Sequence, residues 1–218
     1  GGAGGVQTAP AHPTAGARAP GAGVYNTPPG AGGLRPPGLG RAGLREGDAV
    51  LISGSAGCHG AAVLMARGGL PGSAALQSDC RCLRALAAAA LDAGGVRILR
   101  DPTRGGVATT LNEFVEGGAL GIELDETAIP VDAPVAAACD LLGLDPLYSA
   151  CEGRLLAVAA PESAAAVLAA LRALPGGEGA ARIGTVTARR PGTVVLRTAL
   201  GGSRILGKLT GAQLPRIC

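Results

Sequence analysis

The chain changes character near Gly47. From Asp48 onward, apolar positions recur with the periods of regular structure. "DAVLISGS" (48–55) is a continuous apolar run closed by Gly and Ser, the pattern of a buried strand. "HGAAVLMAR" (59–67) has helical spacing and is closed by Gly68 and Gly69. "CLRALAAAALDAG" (82–94) predicts a stronger helix ending at Gly94, and "VRILR" (96–100) a short strand. A polar loop, "DPTRGG" (101–106), leads into the helix "VATTLNEFVEGG" (107–118). The strand "LGIELD" (120–125) follows, then the helix "DAPVAAACDLLG" (132–143), with Asp132 placed to cap it and Gly143 to close it. "GRLLAVAA" (153–160) predicts a strand and "PESAAAVLAALRAL" (161–174) a helix with Pro at its start. "ARIGTVTA" and "GTVVLRT" predict two more strands, and nothing after about Arg197 reads as a long regular element. Strands and helices interleave, so the class is α/β or α+β with a mixed sheet.

Residues 1–47 hold 14 Gly and 7 Pro, so 21 of 47 positions break regular structure. Such a stretch buries little apolar surface, and residues 1–40 are expected to be extended or disordered, with one strand-like piece at "GVYNT" (23–27). A length of 218 residues suits one large domain or two small ones. The net charge of +3, carried by scattered basic residues, points away from nucleic acid and anionic membranes. No apolar run reaches the ~20 residues that a membrane span needs. The N-terminus lacks a basic-then-apolar signal pattern, so a soluble, cytoplasmic protein is expected.

The six cysteines are Cys58, Cys80, Cys82, Cys139, Cys151 and Cys218. The even count invites disulfides, but a chain this long with Ala-rich helices needs no staples. Cys80 and Cys82 are too close for a CxxC pair, and only His12 and His59 are available to complete a zinc site, so no metal site is assigned. Cys82 and Cys139 are expected as reduced thiols in or near the core.

Three stretches carry candidate chemistry. In "RDPTRGGVATTLNEF" a strand runs into a polar loop, two glycines and a helix start. Glycines let a backbone approach a ligand, and a helix N-terminus offers N–H groups to phosphate. Arg104 adds a guanidinium fork, and Asp101 can hold magnesium or cap the helix. Taken alone, such a turn is more often merely tight. "SGSAGCHG" (53–60) is a second Gly-rich strand-to-helix turn, equally weak alone. "YSACEGRLL" (148–156) sets Glu152 just before a buried strand, where desolvation can raise a carboxyl pKa toward a base's range; an exposed loop carboxylate is the plainer reading.

In their order, these stretches resemble the HypE family of hydrogenase maturation factors, the carbamoyl dehydratases of [NiFe]-hydrogenase assembly. The carrying residues are "GDAVLISGSAGCHG", "SDC", "RDPTRGGVATTLNEF", "GIELDETAIPV", "LLGLDPLYSACEGRLLAV", "IGTV" and the final "PRIC", so the likeness covers about residues 43–218. The "RDPTRGG…LNE" block is shared more loosely with aminoimidazole ribonucleotide synthetase and selenophosphate synthetase.

The resemblance implies an α/β domain of the aminoimidazole ribonucleotide synthetase C-terminal type over 43–211. Before it, residues 1–42 would be a largely irregular remnant of the family's N-terminal ATP-binding domain; after it, 212–218 would be a flexible carrier tail. It implies that the Cys218 thiol receives a carbamoyl group, which ATP with Mg2+ dehydrates to a thiocyanate that supplies cyanide to iron. Glu152 matches the family's proton-removing glutamate. Asp101, Thr103, Arg104, Gly105, Gly106 and His59 fall on the nucleotide-binding turns. The implied partners are the carbamoyltransferase HypF, the HypC–HypD iron carrier and a second copy of the chain.

This sequence departs from the family pattern at several points. Most of the N-terminal half has no counterpart, Pro10 and His12 stand where the family has Asp and Lys, Cys58 replaces an aspartate and Cys151 an asparagine. An inactive fragment or interaction module that keeps the fold and tail without ATP turnover is the alternative reading. A superfamily member acting on a diffusible substrate is a third, which the "PRIC" end disfavours.

Overall fold

The computed structural model describes residues 39–68 and 76–209. The expectations for residues 1–38, and for the tail from 210 onward including Cys218, lie outside them.

One seven-stranded sheet organises the chain. Its strands are β1 (Ala49–Ile52), β2 (Val96–Arg100), β3 (Gly121–Asp125), β4 (Leu156–Ala159), β5 (Ala181–Thr187), β6 (Val194–Arg197) and β7 (Ser203–Leu206), in the spatial order β2-β4-β1-β5-β3-β6-β7. All pairings are antiparallel except β3 with β6. The mixed sheet expected from the interleaved pattern is therefore the one that forms.

The period of two along a strand divides the core. Val50 and Ile52 of β1, with Leu156 and Val158 of β4, face Val107, Leu111 and Phe114 of α3 (Gly106–Val115). Ala49 and Leu51, with Ala157 and Ala159, face the opposite layer, where α2 (Arg84–Asp92) and α5 (Ala164–Arg172) supply Leu86, Val167 and Leu171. Both faces of β1 and β4 are covered, which is why these two strands read as unbroken apolar runs. A third cluster joins α1 (Cys58–Arg67) to α4 (Ala133–Leu142) through Ala61, Met65, Val135, Ala138 and Cys139.

Several local expectations shift. Cys82 is exposed, not in the core, because α2 begins only at Arg84 and the irregular stretch before it follows no helical phase. Cys139 is buried as expected. Asp132 sits at the N-cap of α4, yet its side chain accepts no capping bond; instead its backbone N–H donates to Ser55 Oγ at 2.8 Å. α5 starts at Ala164, three residues after Pro161, which belongs to a turn. Beyond Arg197 the chain adds the edge strand β7, a four-residue element too short for its pattern to stand out between glycines.

Candidate functional site

The three chemically interesting stretches meet at one end of the sheet. β2 ends at Arg100, and residues Asp101–Gly105 turn the chain into α3. Gly106 N–H donates to Thr103 O at 3.1 Å, which closes the turn. Gly105 and Gly106 have φ of +74° and +61°, a region that side chains other than glycine enter only with strain. At Gly106 space is also decisive: a Cβ would lie 2.6 Å from the carbonyl oxygens of Leu147 and Ser149. The segment leading to Glu152 is therefore packed directly on the turn. Cys151 N–H donates to Pro102 O at 3.0 Å and ties the same two stretches again.

The other Gly-rich turn joins them. Gly57 has φ +81° and opens α1, and its N–H donates to Cys151 Sγ at 3.1 Å. Gly60 N–H donates to Ala150 O at 2.9 Å. His59, in the first turn of α1, is half-buried, with Nδ1 2.8 Å from Ser78 Oγ. Ser78 Oγ accepts the N–H of Cys80, so His59 is fastened to the irregular stretch that precedes α2.

That stretch supplies a residue the sequence reading quoted only as part of "SDC". Asp79 is buried, and its Oδ1 accepts the backbone N–H of Glu152 at 3.2 Å. Its Oδ2 lies 3.4 Å from Nε of Arg154, which also donates to Ser55 O. Gly153 lets this approach occur, since a Cβ there would overlap Asp79 O. The backbone on both sides of the Glu152 side chain is thus held: Cys151 by Pro102, Glu152 by Asp79. Glu152 itself is half-buried.

Asp101 and Arg104 are exposed and Thr103 is half-buried. Asp101 does not cap α3: the N-cap position is Gly105, and among the described residues no side-chain cap bond is made there. Among the described residues, no group of three or more His, Cys, Asp or Glu side chains is placed to hold a metal ion. Cys151 is sealed in, and burial pushes its thiol up to about 12. An open groove of about 630 Å³ lies elsewhere, over β5, β3 and β6, and contains none of these residues. No helix among the described residues is long and apolar enough to cross a membrane.

Fold and turns together define a domain class. Residues 45–197 match the family model of AIR synthase related protein, C-terminal domain, and the chain belongs to that family. Within it, the similarity is to hydrogenase maturation proteins. The chain is 50% identical over 201 residues to carbamoyl dehydratase HypE of Azotobacter vinelandii, an alignment covering 91% of this chain and 59% of that relative. The crystal structure of hydrogenase maturation protein HypE in complex with ATP superposes with a TM-score of 0.78 at 47% identity, over 85% of this chain and 57% of that one. A HypE–HypF complex matches with a TM-score of 0.72 at 36% identity, over 76% and 54% of the two chains. This chain spans little more than half the length of the relatives it matches.

Proposed function

We propose that this chain carries the C-terminal α/β domain and carrier tail of a HypE-type carbamoyl dehydratase in [NiFe]-hydrogenase maturation. On this reading the domain spans about residues 43–211. Residues 1–42 belong to the ATP-binding side and 212–218 to the carrier arm. The observation that carries the proposal is the fastening of the backbone at Glu152 by two successive N–H groups, that of Cys151 to Pro102 of the Asp101–Gly106 turn and that of Glu152 to Asp79.

Cys218 is the acceptor, a thiolate being both a good nucleophile and a good leaving group for cyanide transfer. ATP, when bound, supplies the phosphoryl group that activates the carboxamide oxygen. Arg104 and the uncapped N-terminus of α3 offer a guanidinium and backbone N–H groups to phosphate oxygens, with Thr103 and the two glycines shaping the approach. His59 borders the same side through the α1 turn. Glu152 takes the two protons of the carboxamide nitrogen in turn, one as the oxygen is phosphorylated and one as the carbon–oxygen bond breaks with inorganic phosphate leaving, so that an S-bound nitrile remains on Cys218. Magnesium would enter with the nucleotide, since among the described residues no group of three or more His, Cys, Asp or Glu side chains is placed to hold it. The partners of this reading are HypF as carbamoyl donor, a HypC–HypD complex as cyanide acceptor and a second copy of the chain. Its compartment is the cytoplasm.

The test is direct. The chain is incubated with ATP, magnesium and the carbamoyl donor system, and the peptide containing Cys218 is weighed. A carbamoyl adduct that then loses water supports the dehydratase. An adduct that never forms, or forms and never dehydrates, leaves the interaction module as the better description.

A further inference from the structure

The segment that follows β6 is tied to its neighbours at nearly every residue. Arg204 NH2 lies 2.6 Å from Asp145 Oδ2. Leu206 O accepts from Asn112 Nδ2 at 2.8 Å, and Gly207 O from the Tyr148 hydroxyl at 3.1 Å. Lys208 Nζ lies 2.5 Å from Glu116 Oε2. Leu209 N–H donates to Thr109 Oγ1 at 3.2 Å. Apart from the pairing of Ser203–Leu206 with β6, the partners of these residues lie in α3, in Glu116 at its C-cap, and in the 145–148 turn that precedes Glu152.

These contacts have a direction. Leu206 O meets Asn112 and Leu209 N–H meets Thr109, so the main chain of the strap runs along α3 from the middle of the helix toward its N-terminus, while the long Lys208 side chain reaches back to Glu116 at the other end. Thr109 is the last partner, and its hydroxyl covers Gly105: a Cβ on that glycine would overlap Oγ1. The strap therefore delivers the chain to the edge of the Asp101–Gly106 turn. Asn112 is a poor residue for a helix interior, and it is buried. Its amide is accounted for because it donates both to Ala108 O, at 2.8 Å, and to the strap.

We propose that residues 204–209 are a clasped root for the carrier arm, fixed by Asn112, Tyr148 and Thr109 so that the arm starts beside the turn it must reach. This rests on the carrier reading of Cys218, but its physical test does not. Cys218 lies nine residues beyond Leu209 (218 − 209 = 9), a reach of ~30 Å at full extension. Thr109 stands only ~5 Å along the helix axis from Gly106. Leu206 stays paired with Val194 in the sheet, so with the clasp open the tether would begin there and run 12 residues (218 − 206 = 12). Effective concentration falls as roughly the −3/2 power of tether length, so opening costs about 1.5-fold in encounter, besides the lost starting direction.

The experiment uses the full chain with Cys80→Ser and Cys82→Ser, so that a nitroxide can be attached to Cys218. The expected parent shows a protected Leu209 amide and broadening centred on Gly105 and Gly106. Thr109→Val with Tyr148→Phe should lower Leu209 protection about fivefold for each bond lost and spread the broadening over other residues. Tyr148→Phe alone should do the same more weakly, and it removes a single hydroxyl if the double variant folds poorly. A Leu209 amide that exchanges at the open-chain rate in the parent, or a broadening pattern identical in parent and variants, overturns the clasp. A Cys218 that accepts no carbamoyl group in the unlabelled chain overturns the dehydratase reading and leaves the clasp standing.

Discussion

Asp79 and Glu152 are 73 residues apart in sequence, and the carboxylate of the first holds the backbone N–H of the second at 3.2 Å. The other Asp79 oxygen faces Arg154, whose side chain keeps 12% of its surface against 1% for Asp79. The pair is thus mostly withdrawn from water, and each charge depends on the other. Asp79→Ala should lower stability by about 3 kcal/mol, because it leaves Arg154 unpaired and a backbone donor without its acceptor. Asp79→Asn keeps an acceptor of the same shape and should lose less. Urea midpoints should rank the parent above Asn and Asn above Ala. An Ala variant as stable as the parent would mean that the contact holds nothing.

Gly106 gives a sharper spatial prediction. Its φ of +61° coincides with a site where a Cβ meets two carbonyl oxygens at 2.6 Å, neither of which belongs to a flexible side chain. Gly106→Ala should cost about 3 kcal/mol and push the 147–149 segment off the turn. Gly117 has φ +66° but nothing within 4 Å of its would-be Cβ. Gly117→Ala should therefore show only the backbone cost, about 1 kcal/mol. Equal losses in thermal melts of the two variants would remove the crowding argument.

The contrast between these contacts shows how much the sequence could disclose. The strands with both faces covered, β1 and β4, announce themselves as apolar runs, and the Gly-Gly after "DPTR" marks a turn into a helix. Spacing along one chain cannot reveal that Asp79 reaches Glu152 or that Leu206 reaches Asn112, because both contacts depend on strand order. That order places β4 between β2 and β1 and carries the Glu152 segment across to the Asp101 turn. The Cys82 expectation failed for a related reason: helix phase predicts burial only inside the helix, and α2 starts two residues later. β7 escaped notice because an edge strand, open to solvent on most of its surface, needs no clear alternation.

Cys151 makes a prediction about pH. Burial comes first among the causes that push its thiol up from an ordinary 9.0 to about 12, while the N–H of Gly57 opposes the shift. A thiol held protonated in the fold but free to ionise when unfolded stabilises the fold fully below about pH 9. That contribution is lost as pH rises from there toward 12. Cys151→Ala should remove this part of the alkaline slope, whatever it costs at neutral pH. Iodoacetamide at pH 8 should modify exposed Cys80 and Cys82 and spare Cys151 until the protein is unfolded. Alkylation of Cys151 in the folded chain, at a rate like that of Cys80, would contradict the burial argument.

Glu152 is where chemistry and structure can be separated most cleanly. The peptide N–H groups of Cys151 and Glu152 are committed to Pro102 and Asp79, and neither bond involves the Glu152 carboxylate. Glu152→Gln should therefore keep the backbone path, and urea unfolding should show the same cooperative transition as the parent. A base that takes a proton from a carboxamide contributes typically 10²–10⁴ in rate, and glutamine cannot accept that proton. The expected phenotype is a chain that still acquires the carbamoyl group on Cys218 and still binds nucleotide, but loses water from the adduct at least about a hundredfold more slowly. On the proposed reading, raising pH should not restore the rate, since the missing group would be the base itself and not its ionisation. Dehydration at the parent rate in Glu152→Gln would transfer the proton-removing role to another residue. A failure to accept carbamoyl would instead make Glu152 part of the surface that receives the donor.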